Sequence, residues 1–76
     1  MKIVYDLAYL NKGKHKKLPD TIILDGNNVP RMGDTVEFDF DDEHFEPLVV
    51  NEVRYHYFKT DNGYVFDKVY IFLETI

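Results

Sequence analysis

The sequence predicts an all-β fold, a small five-stranded antiparallel barrel or a strongly curled sheet. Three observations carry this. Apolar and polar residues alternate, as in Val36, Phe38 and Phe40 against Glu37, Asp39 and Asp41, which is the period of a half-buried strand. Turn residues fill the gaps: Asp25-Gly26, Pro30 with Gly33-Asp34, and Asp61-Asn62-Gly63. No apolar stripe of helical period persists beyond about two turns. At 76 residues the chain is expected to form a single domain over 1–76.

Residues 2–10 place Ile3, Tyr5, Leu7 and Tyr9 on one face, a first strand with its odd residues inward. Residues 11–19 follow as a lysine-rich loop that is expected to be mobile. Thr21 to Leu24 is a short β-branched run. Pro30 then fixes φ, Gly33 permits a positive φ, and Asp34 is placed to bond its own following backbone. Together they launch a strand from Val36 to Phe40. After an acidic connection ending at Pro47, Leu48 to Phe58 reads as a long strand. Val53, Tyr55 and Tyr57 line one of its faces, and Glu52, Arg54, His56 and Phe58 the other. Tyr64 to Leu73 is the last strand.

Asn-Gly at 62–63 marks a hairpin between these two strands. A two-residue loop at Asn62-Gly63 would set Arg54 opposite Ile71 and His56 opposite Val69, putting charges against apolar residues on one face. A three-residue loop, Asp61-Asn62-Gly63, sets Tyr55 opposite Val69, Val53 opposite Ile71 and Asn51 opposite Leu73. The other face then pairs Arg54 with Tyr70, His56 with Lys68, and Phe58 with Phe66. A one-residue slip exchanges the faces, so the pattern selects the three-residue loop, with Gly63 left-handed in a bulged turn. The expected core is Ile3, Tyr5, Leu7, Ile23, Val36 and Phe38, with Val53, Tyr55, Val69, Ile71 and Leu73 from the hairpin.

The small size constrains stability. Apolar burial of about 120 kcal/mol stands against an ordering cost of about the same size, a balance near zero. Pairing with another chain would help. No cysteine is present, so neither a disulfide nor a thiolate metal site reinforces the fold. The first ten residues are too short an apolar run for a signal peptide or a spanning helix, so a cytoplasmic, non-membrane protein is expected.

Net charge is −5, unevenly spread. Lys12, Lys14, Lys16 and Lys17 cluster without an acid. Glu37, Asp39, Asp41, Asp42, Glu43 and Glu46 form an acidic surface without a base. Such runs are usually solvated faces. The chain has no Ser, Cys, Trp or Gln, which excludes Ser-His and Cys-His nucleophilic catalysis. Its four glycines are isolated, so no phosphate loop exists. Nothing links His15, His44 and His56. No catalytic residue, cofactor or enzyme activity is expected.

A calcium loop starting at Asp39 would need Gly at its sixth position and an acid at its twelfth. His44 and Val50 stand there, so no metal site is expected. Four lysines and the tyrosines could bind nucleic acid, but the acidic balance opposes such a partner. The reverse is mimicry, in which the acidic run imitates a phosphate backbone and blocks a nucleic-acid enzyme. Acids spaced about 6.8 Å along one strand face are sparser than the 3.4 Å of a DNA strand.

The turn Pro30-x-x-Gly33-Asp34-x-Val36, the five short strands and the long closing hairpin resemble small barrels of the Src-homology-3-like kind. Similar barrels are often encoded by phages and mobile elements. Over residues 29–74 this resemblance implies the barrel architecture and a habit of acting by binding. The peptide groove typical of signalling members wants a Trp, and this chain has none. The expected function is a non-enzymatic protein-binding or assembly module, contacting a protein partner or itself through Arg54, Phe58, Phe66, Tyr70 and Phe72. The alternative is an acidic nucleic-acid-mimicking inhibitor of a DNA- or RNA-binding enzyme.

Overall fold

A computed structural model describes residues 1–8, 10, 19–40, 43–44 and 47–76, with residues 40, 43 and 44 as backbone alone. The lysine-rich loop expected at 11–19 lies outside the described residues except for Pro19, as do Tyr9, Asp41, Asp42 and Glu46. The described residues form strands and no helix: β1 (Lys2–Asp6), β2 (Thr21–Asp25), β3 (Thr35–Val36), β4 (Asp39–Phe40), β5 (Glu43–His44), β6 (Leu48–Thr60) and β7 (Gly63–Thr75). Five of them make one strongly curled sheet, a half-barrel in the order β2-β1-β7-β6-β3. Strands β4 and β5 pair separately. The expected sheet was antiparallel throughout, but β1 runs parallel to β7, with Ile3 beside Val69 and Tyr5 beside Ile71. No helix among the described residues is long and apolar enough to cross a membrane.

The inner face of the curl holds the core. Ile3, Tyr5, Leu7, Val69, Ile71 and Leu73 are buried there as expected, joined by Leu48 and Val50. Val36, Phe38 and Val53 are partly buried and pack against them. The Tyr5 ring meets Phe38 edge-on at 5.3 Å. Burial pushes the Tyr5 phenol above its ordinary value. Two expected core residues lie elsewhere. β2 pairs antiparallel with β1 so that Ile22 faces Tyr5 and Ile23 faces Val4. That register turns Ile22 inward and leaves Ile23 58% exposed on the outer face. Tyr55 lies beyond the covered part of the sheet and is exposed.

The first strand stops at Asp6, where the Asp6 carboxylate accepts from the Ala8 N–H at 3.0 Å and Leu7 N–H donates to the Asp20 carbonyl at 2.8 Å. The expected strand from Val36 to Phe40 is broken after Val36, its second half turning away into the β4–β5 pair. Its launching turn is present. Gly33 has φ of 92°, and Asp34 N–H donates to the Arg31 carbonyl at 3.0 Å. The Asp34 carboxylate accepts from the preceding Arg31 N–H at 2.8 Å, rather than from its own following backbone.

The long hairpin departs from one continuous register. Tyr55 faces Val69, Val53 faces Ile71, Arg54 faces Tyr70 and His56 faces Lys68, as expected. Nearer the turn Tyr57 faces Phe66 and Phe58 faces Val65, so the pairing of Phe58 with Phe66 does not form. The loop is the two residues Asp61 and Asn62, closed by Thr60 opposite Gly63, whose φ is 111°. The extra residue sits instead at Asp67. A second one, Asn51, leaves Val50 rather than Asn51 opposite Leu73. Each bulge flips the alternation. Leu48 and Val50 therefore point into the core, where an unbroken period counted back from Val53 puts Asn51 and Val49.

Candidate functional site

Strands β6 and β7 run 13 residues each, while β1 reaches only Val69–Phe72 of β7 and β3 only Leu48 and Val49 of β6. The rest projects as a two-stranded arm. This gives the molecule extents of 46 × 23 × 21 Å and a radius of gyration of 13.9 Å, against about 11 Å for a compact chain of this length. The arm turns at Thr60–Gly63, where the Thr60 hydroxyl donates to the Gly63 carbonyl at 3.0 Å and accepts from Asn62 N–H at 3.2 Å.

The break in alternation at Asp67 divides the expected contact residues between two faces. Arg54, Tyr70 and Phe72 do lie together on the outer face. The Arg54 guanidinium sits 4.9 Å from the Phe72 ring centre and pairs with Glu52. Phe72 stacks with Tyr70 at 6.3 Å, and the Lys68 ammonium lies 5.4 Å from the Tyr70 ring. Both rings are half-buried beneath these cations, which suits the electron-rich face of an aromatic ring. His56 meets Tyr70 edge-on and its Nδ1 lies 2.9 Å from an Asp67 carboxylate oxygen. That contact, and then Lys68 at 3.5 Å, hold the Asp67 carboxyl below the usual carboxylate range. A hydrogen bond to Tyr70, and then the Asp67 charge, hold the Lys68 ammonium above its usual range.

Phe58 continues this outer face toward the tip and is 46% exposed. Phe66 does not share it. The bulge at Asp67 turns Phe66 to the inner face, against Tyr55 at 6.3 Å, Tyr57 at 5.6 Å and the edge of the core. The arm therefore carries aromatic groups on both sides. Tyr55, Tyr57 and Tyr64, which the expected site left out, are 50%, 54% and 74% exposed. They escape notice in the sequence because a first strand over residues 2–10 would be long enough to flank the hairpin, whereas β1 ends at Asp6 and leaves the arm uncovered.

At the base of the arm an open groove of about 430 Å³ lies between the turn residues Val29, Pro30, Arg31 and Met32 and the β6 residues Val53 and Tyr55, with Glu52 at its side. Of the acidic surface, Glu37 and Asp39 are exposed. Glu43 is described by its backbone, opposite Phe40, and Asp41, Asp42 and Glu46 lie outside the described residues. Among the described residues no three His, Asp or Glu side chains converge on a common metal position.

No family model, curated protein or solved structure matches the chain.

Proposed function

We propose that the chain is a non-enzymatic protein-binding or assembly module of the cytoplasm, and that the β6–β7 arm is its contact surface. One observation supports this reading above the others. The arm holds Tyr55, Tyr57, Phe58, Tyr64 and Val65 between 43% and 74% exposed, on strands that extend past their neighbours. An isolated two-stranded ribbon is marginal in water, and large apolar side chains exposed together, here on both sides of the arm, mark a contact site. Tyrosine also suits an interface, pairing a rigid apolar ring with a polar tip. Tyr70 and Phe72, already capped by Lys68 and Arg54, are left as a structural ladder at its root.

Alanine substitution tests this. Tyr57→Ala with Tyr64→Ala should weaken partner binding or self-association at least tenfold while the far-ultraviolet circular dichroism is unchanged. Retained binding in a folded double variant would falsify the assignment. Salt separates the acidic-mimic alternative: contact through rings should persist at moderate salt, whereas contact through carboxylates should be lost.

A further inference from the structure

The free edge of the arm identifies an occupant. Among the described residues, β3 covers Leu48 and Val49 of β6, and Val50 closes that contact through Asp34 and Gly33 at 2.8 and 2.9 Å. From Glu52 to Thr60 this edge of β6 meets no strand among the described residues. The corresponding edge of β7, Gly63 to Lys68, is interrupted by the extra residue at Asp67. Bulges of that kind keep an edge from pairing with another chain. The β6 edge has neither a bulge nor a proline over its nine residues. One edge is blunted and the other is left open.

We infer that the β6 edge of a second copy adds antiparallel to this one about a two-fold axis at His56, joining two half-barrels through one continuous sheet. The inference rests on the assembly reading of the arm and names its partner. Two identical edges related by a two-fold axis pair antiparallel, with the axis normal to the sheet. Residues directly opposite then share a face. The open edge from Glu52 to Thr60 has His56 at its centre, so full overlap sets His56 opposite itself. Tyr55 of each copy then faces Tyr57 of the other on the inner side, and Arg54 faces Phe58 on the outer side. Aromatic pairs and cation–ring pairs across strands are favourable, and this register opposes no two like fixed charges. An axis at Arg54 would set two guanidinium groups face to face. An axis at Tyr55 would drive the incoming strand into the β3 contact at Val50. Moving the axis toward the tip shortens the shared ladder.

The groove at the base fits the same register. With Thr60 of the second copy opposite Glu52, its turn residues Asp61 and Asn62 continue into the mouth of the groove beside Arg31. The tip brings Asp61 to a groove that offers Arg31, so opposite signs meet, twice over by symmetry. At about 200 Å² for a whole aromatic side chain, the exposed parts of Tyr55, Tyr57 and Phe58 offer about 300 Å² per copy. That is over a third of the roughly 800 Å² per partner of a stable interface.

The absence of cysteine makes the geometry testable in the full chain. Opposed residues of an antiparallel pair lie about 4.5–5.5 Å apart, within disulfide reach. Under mild oxidation His56→Cys should therefore cross-link to a covalent dimer, whereas Tyr64→Cys, exposed on β7, should not. Sedimentation of the unmodified protein should give a dimer without larger species. Arg31→Glu or Asp61→Lys alone should weaken it at least tenfold, and the two together should restore it. A monomer at high micromolar concentration, open-ended polymers, or cross-linking of Tyr64→Cys as fast as of His56→Cys would each overturn the inference. A monomer whose binding to a different protein is lost in the Tyr57→Ala, Tyr64→Ala double variant would overturn the second copy and keep the arm as a contact surface. Binding that ignores both substitutions would remove the two readings together.

Discussion

Ile71 and Tyr70 are adjacent residues with opposite duties. Ile71 is fully buried among Tyr5, Val69 and Leu73, while Tyr70 lies half-buried under Lys68 and His56. Ile71→Ala should therefore cost about 2–5 kcal/mol, the range for emptying a packed core site, and Tyr70→Ala clearly less. Urea unfolding of both variants checks this. Where alternation ran unbroken, as in Val69, Ile71 and Leu73, inward residues could be read directly from the sequence. The electrostatics of Asp67 could not, because its partner His56 is eleven positions away and reaches it only across the bulge. The folded carboxyl keeps its charge at pH values where the unfolded chain has begun to bind a proton. Any stability it contributes is thus complete above about pH 5 and is lost as the pH falls through about 4 and below. Asp67→Asn should lower the thermal midpoint near pH 7, leave it unchanged near about pH 2, and so flatten the acid limb between them.

At the scale of elements, turns and bulges decide where strands end and which way they face. Gly26 and Gly63 look alike in sequence, yet their demands differ. A Cβ at Gly26 or Gly63 would meet nothing within 4 Å, but Gly63 alone of these two has a positive φ, 111°. Gly63→Ala should lower stability by about 1–2 kcal/mol through backbone strain, and Gly26→Ala should be neutral or mildly stabilising. Paired thermal melts distinguish them. The hairpin was legible from Asp61-Asn62-Gly63, as was its central register from Val53 to His56. Its bulges were not. Nothing in Asn51 or Asp67 as residue types announces an unpaired position; each is set by the need to bring Val50 under the curl or Phe66 against the core edge. The expected contact face inherited that error at Phe66, and the expected core inherited its counterpart in omitting Leu48 and Val50.

Taken whole, the molecule has a base that holds the core and an arm that holds almost none of it. Every buried hydrophobic residue, from Ile3 to Leu73, lies outside residues 55–68, and only Phe66 of the arm packs on the cluster from its edge. Because Tyr55 and Val69 are direct partners, an Asn-Gly turn in place of residues 56–68 should join them without strain. The shortened chain should stay folded, losing about 1–2 kcal/mol for the half-buried Phe66 ring. Its radius of gyration should drop from 13.9 Å to about 11 Å, measurable by small-angle scattering. Partner binding or self-association should disappear with the arm. If the shortened chain unfolds instead, the arm supports the fold, and its exposed tyrosines are no evidence of a dispensable contact surface. If it folds and still assembles, the contact lies on the base, where the outer ladder of Arg54, Phe72 and Tyr70 would be the surface to probe next.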